Sequence, residues 1–299
     1  MYDVCAVGHI TRDRIRIGNE VREQPGGAAY YLSLALRRFS RNVAVVTKMA
    51  RADESFLLSE LKAERIDVSC IESATTTTFE NVYSKLDLDR RVQKAGSVAA
   101  PFACSDLNGF RARFFHLGPL TTRDMSLDFL RGASARGDVS LDAQGLVRDA
   151  SGGEIRTAAW PEMEEGLACV AVLKADEDEA RILTGENDSE RAAQRLAGWG
   201  PREVIVTLGS RGSVIYFAGR LHRISPVPAS RVVDATGCGD TYLAAYLHQR
   251  LKSGDIERAG RFASAAATLT LGRFGPFHAT ERDVEDAVAL SGRAKQRTA

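Results

Sequence analysis

Ten residues carry the clearest chemistry in the chain, Val232-Val-Asp-Ala-Thr-Gly-Cys-Gly-Asp-Thr241, and they run straight into the helical text Tyr242-Leu-Ala-Ala-Tyr-Leu-His-Gln-Arg-Leu251. Gly237 and Gly239 stand just ahead of that helix. Backbone N–H groups converge there and the helix dipole adds partial positive charge, so the segment is a candidate phosphate cradle. Asp240 constrains what the cradle can do. A carboxylate beside an anion site repels the anion unless it handles a proton that moves with the phosphate, as the general base for an attacking hydroxyl does. The plainer alternative is a tight turn with Asp240 as a helix N-cap. A P-loop would need Gly-Lys-Ser or Gly-Lys-Thr, which the chain lacks, and a dinucleotide fingerprint would need a glycine where Tyr242 stands.

Written as Asp234-Ala-Thr-Gly-Cys-Gly-Asp240, the segment resembles the C-terminal signature of the ribokinase-like (PfkB) carbohydrate kinases, D-[TP]-T-G-[AS]-G-D. Three further stretches follow in the family's order along nearly the whole chain. Gly8 with Asp13 and Gly26-Gly27-Ala-Ala look like its N-terminal sugar-binding segment, Lys174-Ala-Asp-Glu-Asp-Glu179 like its N-x-x-E motif, and Val206-Thr-Leu-Gly-Ser-Arg-Gly212 like its nucleotide-binding strand and turn.

The resemblance implies roles. Asp240 would take the proton of the acceptor hydroxyl as it attacks the γ-phosphate of ATP, while the N–H groups of Gly237, Cys238 and Gly239 hold the developing charge. Cys238 replaces the usual Ala or Ser, a change that costs little where only its backbone is used. Glu179 would bind Mg²⁺ through water, or it is an exposed acid in the run from Asp176 to Glu179. Asp176 stands where the family has Asn, so the contact with the ATP phosphates that the resemblance implies there would need a water, a metal or a proton. Thr207, Gly209 and Gly212 would approach the nucleotide, or form an ordinary hairpin turn. The small residues 263–267, with Gly272 and Gly275, would wall an adenine slot or serve tight helix packing. Asp234, with carbonyls near Thr236, would hold a monovalent cation such as K⁺.

On the acceptor side, Asp13 can take hydrogen bonds from two neighbouring hydroxyls of a polyol, or is a turn residue or a partner of Arg12 or Arg14, and Gly26-Gly27 let backbone amides reach other hydroxyls. The family often carries Asn five positions after the first of these glycines; here that place is Tyr31. The stretch Thr75-Thr-Thr-Thr-Phe-Glu-Asn81, the stretch Leu141-Asp-Ala-Gln-Gly-Leu-Val-Arg148 and Arg273-Phe-Gly-Pro-Phe277 look most like a subgroup that includes plant myo-inositol kinases. Asn81, Gln144 and Arg148 would then touch the acceptor or its surroundings, or Asn81 only ends a strand and Arg148 only bridges surface acids.

The elements that must position these residues alternate between short β-rich runs and helical periods, the pattern of an α/β fold with a mainly parallel sheet. Strands are expected over residues 3–8, 42–47, 113–117, 138–142, 169–174, 203–208, 213–217 and 221–224. Helices are expected over 28–39, 123–136, 177–183, 189–199, 240–252, 257–271 and 281–290, with a frayed end over 293–299. Two alternating stretches do not suit a sheet buried on both faces: residues 13–24, turning at Gly18-Asn19, and residues 75–94. They are read as a small separate sheet standing over the main one, a lid with strands within 13–25 and 75–97. The reading is one ribokinase-like domain over 1–299, three layers α/β/α around a mainly parallel sheet, with a lid that excludes water and allows a homodimer.

Composition is consistent with this and excludes rivals. The 299 residues hold 40 Lys plus Arg against 39 Asp plus Glu, so nothing points to nucleic acid. The five cysteines are odd in number, far apart and never C-x-x-C, which indicates free thiols rather than zinc or disulfides. No apolar run approaches the ~18 residues of a membrane span, and Met1 to Gly8 is not a secretory leader, so the expected location is cytoplasmic. The expected activity is transfer of the γ-phosphate of ATP to a hydroxyl of a small sugar or cyclitol. The alternatives are a nucleoside kinase of the same fold, its base against Tyr31, Phe79 or Tyr83, and a non-catalytic ligand-binding regulator.

Overall fold

The computed structural model describes residues 1–17, 20–40, 42–84 and 87–296. Among them the strands form two sheets. The larger has nine strands, ordered from edge to edge as Arg220–Ile224, Ser213–Phe217, Glu203–Thr207, Val172–Asp176, Asp138–Asp142, Ala112–Leu117, Tyr2–Val7, Val43–Met49 and Asp67–Glu72. Neighbours are parallel from Glu203–Thr207 across to Asp67–Glu72, and the first two strands of the order run antiparallel.

Parallel strands buried on both faces explain the near-continuous apolar runs. In Tyr2–Val7, Val4 and Ala6 enter one core while Cys5 and Val7 enter the other. The first core is closed by the helices Ala28–Arg37, Cys238–Lys252 and Ile256–Leu271, the second by Leu127–Ser134 and Ser189–Ala197. These are the three expected layers. The helix Cys238–Lys252 is buried through Thr241 to Gln249 because it runs between the sheet, Ala28–Arg37 and Ile256–Leu271.

The second sheet orders Arg148–Gly152, Glu154–Thr157, Asp87–Ala95, Thr78–Ser84, Thr11–Ile17 and Glu20–Gly26. Strands run through both stretches read as the lid, and the hairpin of residues 148–157 extends the sheet they form. Period-two alternation sorts its faces. Phe79, Asn81 and Ala95 are buried, with Phe79 and Ala95 packed on Ala28 and Leu120 of the body. Arg12 and Arg16 pair with Glu23, Asp53 and Glu80 on the other face. Asp13 stands in register with Phe79, and Asn81 with Ile15, so both share the face turned to the body.

Several boundaries move by a few residues, and the last helix runs to Gln296, beyond the expected end. The expected Gly18-Asn19 turn and residues 297–299 lie outside the described residues. The Cys5, Cys70, Cys104, Cys169 and Cys238 thiols are free. No described helix is long and apolar enough to cross a membrane.

Candidate active site

Parallel strands deliver their last residues to one edge of the sheet, where α/β proteins place ligands. Asp142 ends one strand and Asp176 the next, and Thr207 stands in register with Asp176. Two residues before Asp176, Lys174 stands in register with Asp142, so the strand pairing alone brings cation and carboxylate together. Lys174 Nζ lies 3.0 Å from Asp142 Oδ2, with both side chains more than nine-tenths buried.

Over this pair comes the turn of the glycine segment. Gly237 caps the helix Cys238–Lys252 with φ +75°, a conformation that suits glycine, and a Cβ there would stand 2.6 Å from Tyr31 Cδ1. Asp234 Oδ1 closes the turn by accepting the Thr236 N–H at 2.9 Å. Cys238 N donates to the Ala235 carbonyl at 3.2 Å, whereas the amides of Gly237, Gly239 and Asp240 have no backbone acceptor among the described residues. The cradle therefore differs from expectation in one amide: those of Gly237 and Gly239 are open to an anion, whereas the Cys238 amide is engaged in the turn. The thiol of Cys238 is not activated, since burial and then Asp234 and Asp240 push it up to about 12.

A Cβ on Gly239 would stand 3.0 Å from Lys174 Nζ, which puts that ammonium directly beneath the cradle. Burial works against its charge, but Asp142, Glu179 and Asp240 hold Lys174 above its ordinary value. Asp142 is pushed up by burial, yet Lys174 and the Gln144 amide, donated to Oδ1 at 3.0 Å, bring it below its ordinary value. Gln144 thus enters the site through its backbone. Asp240 keeps some contact with solvent, yet burial and then Asp142 push its carboxyl up to about 7, against the pull of Lys174. A carboxyl poised near neutrality is suited to proton transfer.

Glu179 is buried rather than exposed, and burial pushes it also to about 7. It forms a capping box with Asp176: Glu179 Oε2 accepts the Asp176 N–H at 2.8 Å and Asp176 Oδ1 accepts the Glu179 N–H at 2.7 Å. Asp176 spends one side-chain oxygen on its own helix, a use its N-cap position makes visible in the sequence. A magnesium ion takes most ligands from water and phosphate with one or two carboxylates, so a single carboxylate such as Glu179 at this edge fits such an ion. No group of three or more His, Cys, Asp and Glu is gathered as a metal centre among the described residues.

On the donor side, Gly209 and Gly212 bracket a single 3₁₀ turn after Thr207, both with positive φ. The expected adenine wall is mostly packing: Ala263, Ala265 and Ala266 are fully buried in the core. Ser264 Oγ accepts the Val227 N–H at 3.3 Å and Thr268 Oγ1 donates to the Val227 carbonyl at 2.8 Å, which stitches the loop to the helix Ile256–Leu271.

On the acceptor side, the Asp13 carboxylate lies against Gly26, where a Cβ would stand 2.3 Å from Oδ2, and Thr11 Oγ1 donates to Oδ1 at 2.7 Å. Gly27 follows as the N-cap of Ala28–Arg37. Asn81 Oδ1 accepts from Gln93 Nε2 at 3.2 Å, and Gln93 Oε1 accepts from Arg148 at 3.5 Å, so these three lid side chains form one chain of hydrogen bonds. The sequence reading missed Asp142 and Lys174 as site residues; a Lys inside an apolar parallel strand was the available signal.

Gly237→Ala is expected to cost about 1–2 kcal/mol of stability from the left-handed backbone alone, lowering the unfolding midpoint, and to cut turnover by moving the cradle against Tyr31. A variant with parent-like midpoint and turnover would show that the turn accommodates a Cβ.

The family model described as pfkB family carbohydrate kinase matches residues 1–282. A nucleoside kinase of Methanothermobacter thermautotrophicus is 41% identical over 89% of this chain and 88% of its own length. An inositol 3-kinase of Oryza sativa subsp. japonica is 29% identical over 86% of this chain and 66% of its own. A solved pyrophosphate-dependent kinase of the ribokinase family, complexed with a pyrophosphate analogue and myo-inositol, superposes with TM-score 0.84 at 27% identity over 94% of this chain and 99% of its own.

Proposed function

Since the chain belongs to the pfkB family of carbohydrate kinases and is a phosphotransferase with a hydroxyl acceptor, we propose that it transfers the γ-phosphate of ATP to a hydroxyl of a small sugar or cyclitol, with Asp240 as general base. The carrying observation is the Asp240 carboxyl, pushed up to about 7 at the mouth of an N–H cradle with Lys174 beneath it. The acceptor hydroxyl gives its proton to Asp240 as its oxygen forms the new bond to phosphorus, and the bond from phosphorus to the bridging oxygen of ADP breaks. The amides of Gly237 and Gly239 meet the charge on the transferring group, and the Lys174 ammonium supports it from below. Glu179 would hold a magnesium ion through water, and the chemistry that ion would supply is neutralisation of phosphate charge. Asp13 accepts hydrogen bonds from two further hydroxyls of the acceptor. The lid face carrying Asp13, Asn81 and Gln93 keeps water from the phosphate.

The stitched Val227 loop and the core-buried alanines favour a second reading of the donor, in which pyrophosphate replaces ATP and no adenine slot is used. The relative solved with myo-inositol supports the cyclitol as acceptor, and the nucleoside kinase relative supports a nucleoside.

The deciding experiment is a transfer assay with ATP or pyrophosphate as donor and with ribose, fructose, myo-inositol and nucleosides as acceptors, all with Mg²⁺. Acceptor-dependent release of ADP with myo-inositol or a sugar is expected. Release with nucleosides alone would overturn the acceptor class, and turnover with pyrophosphate alone would overturn ATP as donor.

A further inference from the structure

Tyr31 stands inside this site without a role in the chemistry so far. It lies in the first turn of Ala28–Arg37, 5% exposed, with its ring against the Gly237 turn. Tyr30 meets it edge-on, ring centroids 5.3 Å apart, and gives its own hydroxyl to Glu60. The Tyr31 hydroxyl has no hydrogen-bond partner among the described residues. Burial raises its pKa, and Asp13, Asp234 and Asp240 follow as the next causes, so the phenol keeps its proton at every physiological pH.

Asp13 and Asp240, once ionised, can only accept hydrogen bonds. Each hydroxyl of a polyol that gives its proton to one of them still presents lone pairs, and an enclosed site must supply donors for these. A donor aimed at the attacking oxygen would hold the pair that forms the bond to phosphorus. A donor aimed at the adjoining hydroxyl leaves that pair free and fixes the ring. We propose that Tyr31 donates its phenolic hydrogen to the acceptor hydroxyl next to the one that attacks, and thereby decides which hydroxyl of a polyol faces Asp240. Two observations converge on this: a phenol on a residue only 5% exposed whose hydroxyl has no protein partner among the described residues, and its ring set against the Gly237 turn. The proposal rests on the kinase reading above.

The test is Tyr31→Phe, which deletes one oxygen and keeps the ring contact with Gly237. Acceptor and donor KM, kcat and the position of the new phosphate ester, read by phosphorus and proton NMR, are measured beside the parent protein. The expected result is an acceptor KM raised about tenfold or more, the usual effect of leaving one enclosed polar partner unpaired. The loss falls on KM rather than kcat, donor KM is unchanged, and a second positional isomer appears with a polyol. Parent-like acceptor KM with a single isomer would overturn the proposal, as would an equal rise in donor KM, which reports general distortion. A parent protein without acceptor-dependent transfer would overturn the kinase reading first and this proposal with it, so the two failures are told apart.

Discussion

Asp240→Asn is expected to lower phosphoryl transfer by at least ~10²-fold, the lower end for loss of a general base, in a variant that folds and binds its donor as the parent does. The amide has the shape of the carboxylate and the same place at the start of the helix Cys238–Lys252, but it takes no proton from the acceptor. Its stability moves the other way. Because the folded Asp240 carboxyl sits at about 7, above its unfolded value, its ionised form costs stability above that unfolded value, and the cost fades as pH falls through about 7. Asn removes the cost, so at pH 8 the variant unfolds at higher urea than the parent. Near-normal turnover would remove Asp240 from the role of base.

The same carboxyl contributes to the pH profile expected of the parent. A base must be ionised, so turnover is expected to fall as pH drops through about 7. Glu179 is also pushed to about 7 and shares the field of Lys174 and Asp142, so the acid limb belongs to the cluster as a whole. In Asp240→Asn the residual rate loses most of this limb.

Much of this arrangement is legible in the residues themselves. The helix starting at Cys238, with Gly237 before it and Gly239 and Asp240 in its first turn, announces itself because all its signals are local. The strand Asp138–Asp142 falls where its apolar alternation puts it. The edge strand Asp67–Glu72 does not: its residues are half-exposed and polar at both ends, and only pairing with Val43–Met49 makes it a strand. The hairpin of residues 148–157 joins the lid through a single register pair, Glu154 with Lys94, which no local pattern encodes. Lys174 is the instructive omission. It sits within a motif that drew attention to Glu179, yet its partner lies 32 residues away on a neighbouring strand. Strand register is a tertiary fact, so the pair became visible in the fold.

That pair carries the second large effect. Lys174→Met keeps a chain of similar length and deletes the cation, leaving Asp142, Glu179 and Asp240 as mutually repelling carboxyls in an enclosed space. Breaking a buried ion pair from one side costs about 3–5 kcal/mol, because the remaining charge is uncompensated. The sign of its pH dependence follows. Without the ammonium the folded-state carboxyls bind protons more readily than in the parent, so the deficit is largest at pH 8 and shrinks as pH falls toward 5.5, where they are increasingly neutral. Urea unfolding of parent and variant at both pH values measures this; an equal deficit at both would mean that packing, not charge, was lost. Catalysis separates from stability in the double variant Asp142→Asn, Lys174→Met. With both charges gone much of the stability returns, since a neutral pair needs no compensation. The rate stays low, because the phosphate has no cation beneath Gly239 and Asp240 has lost the ammonium that holds its proton affinity down. A double variant that recovered stability and turnover together would show Lys174 to be a structural partner of Asp142 and nothing more.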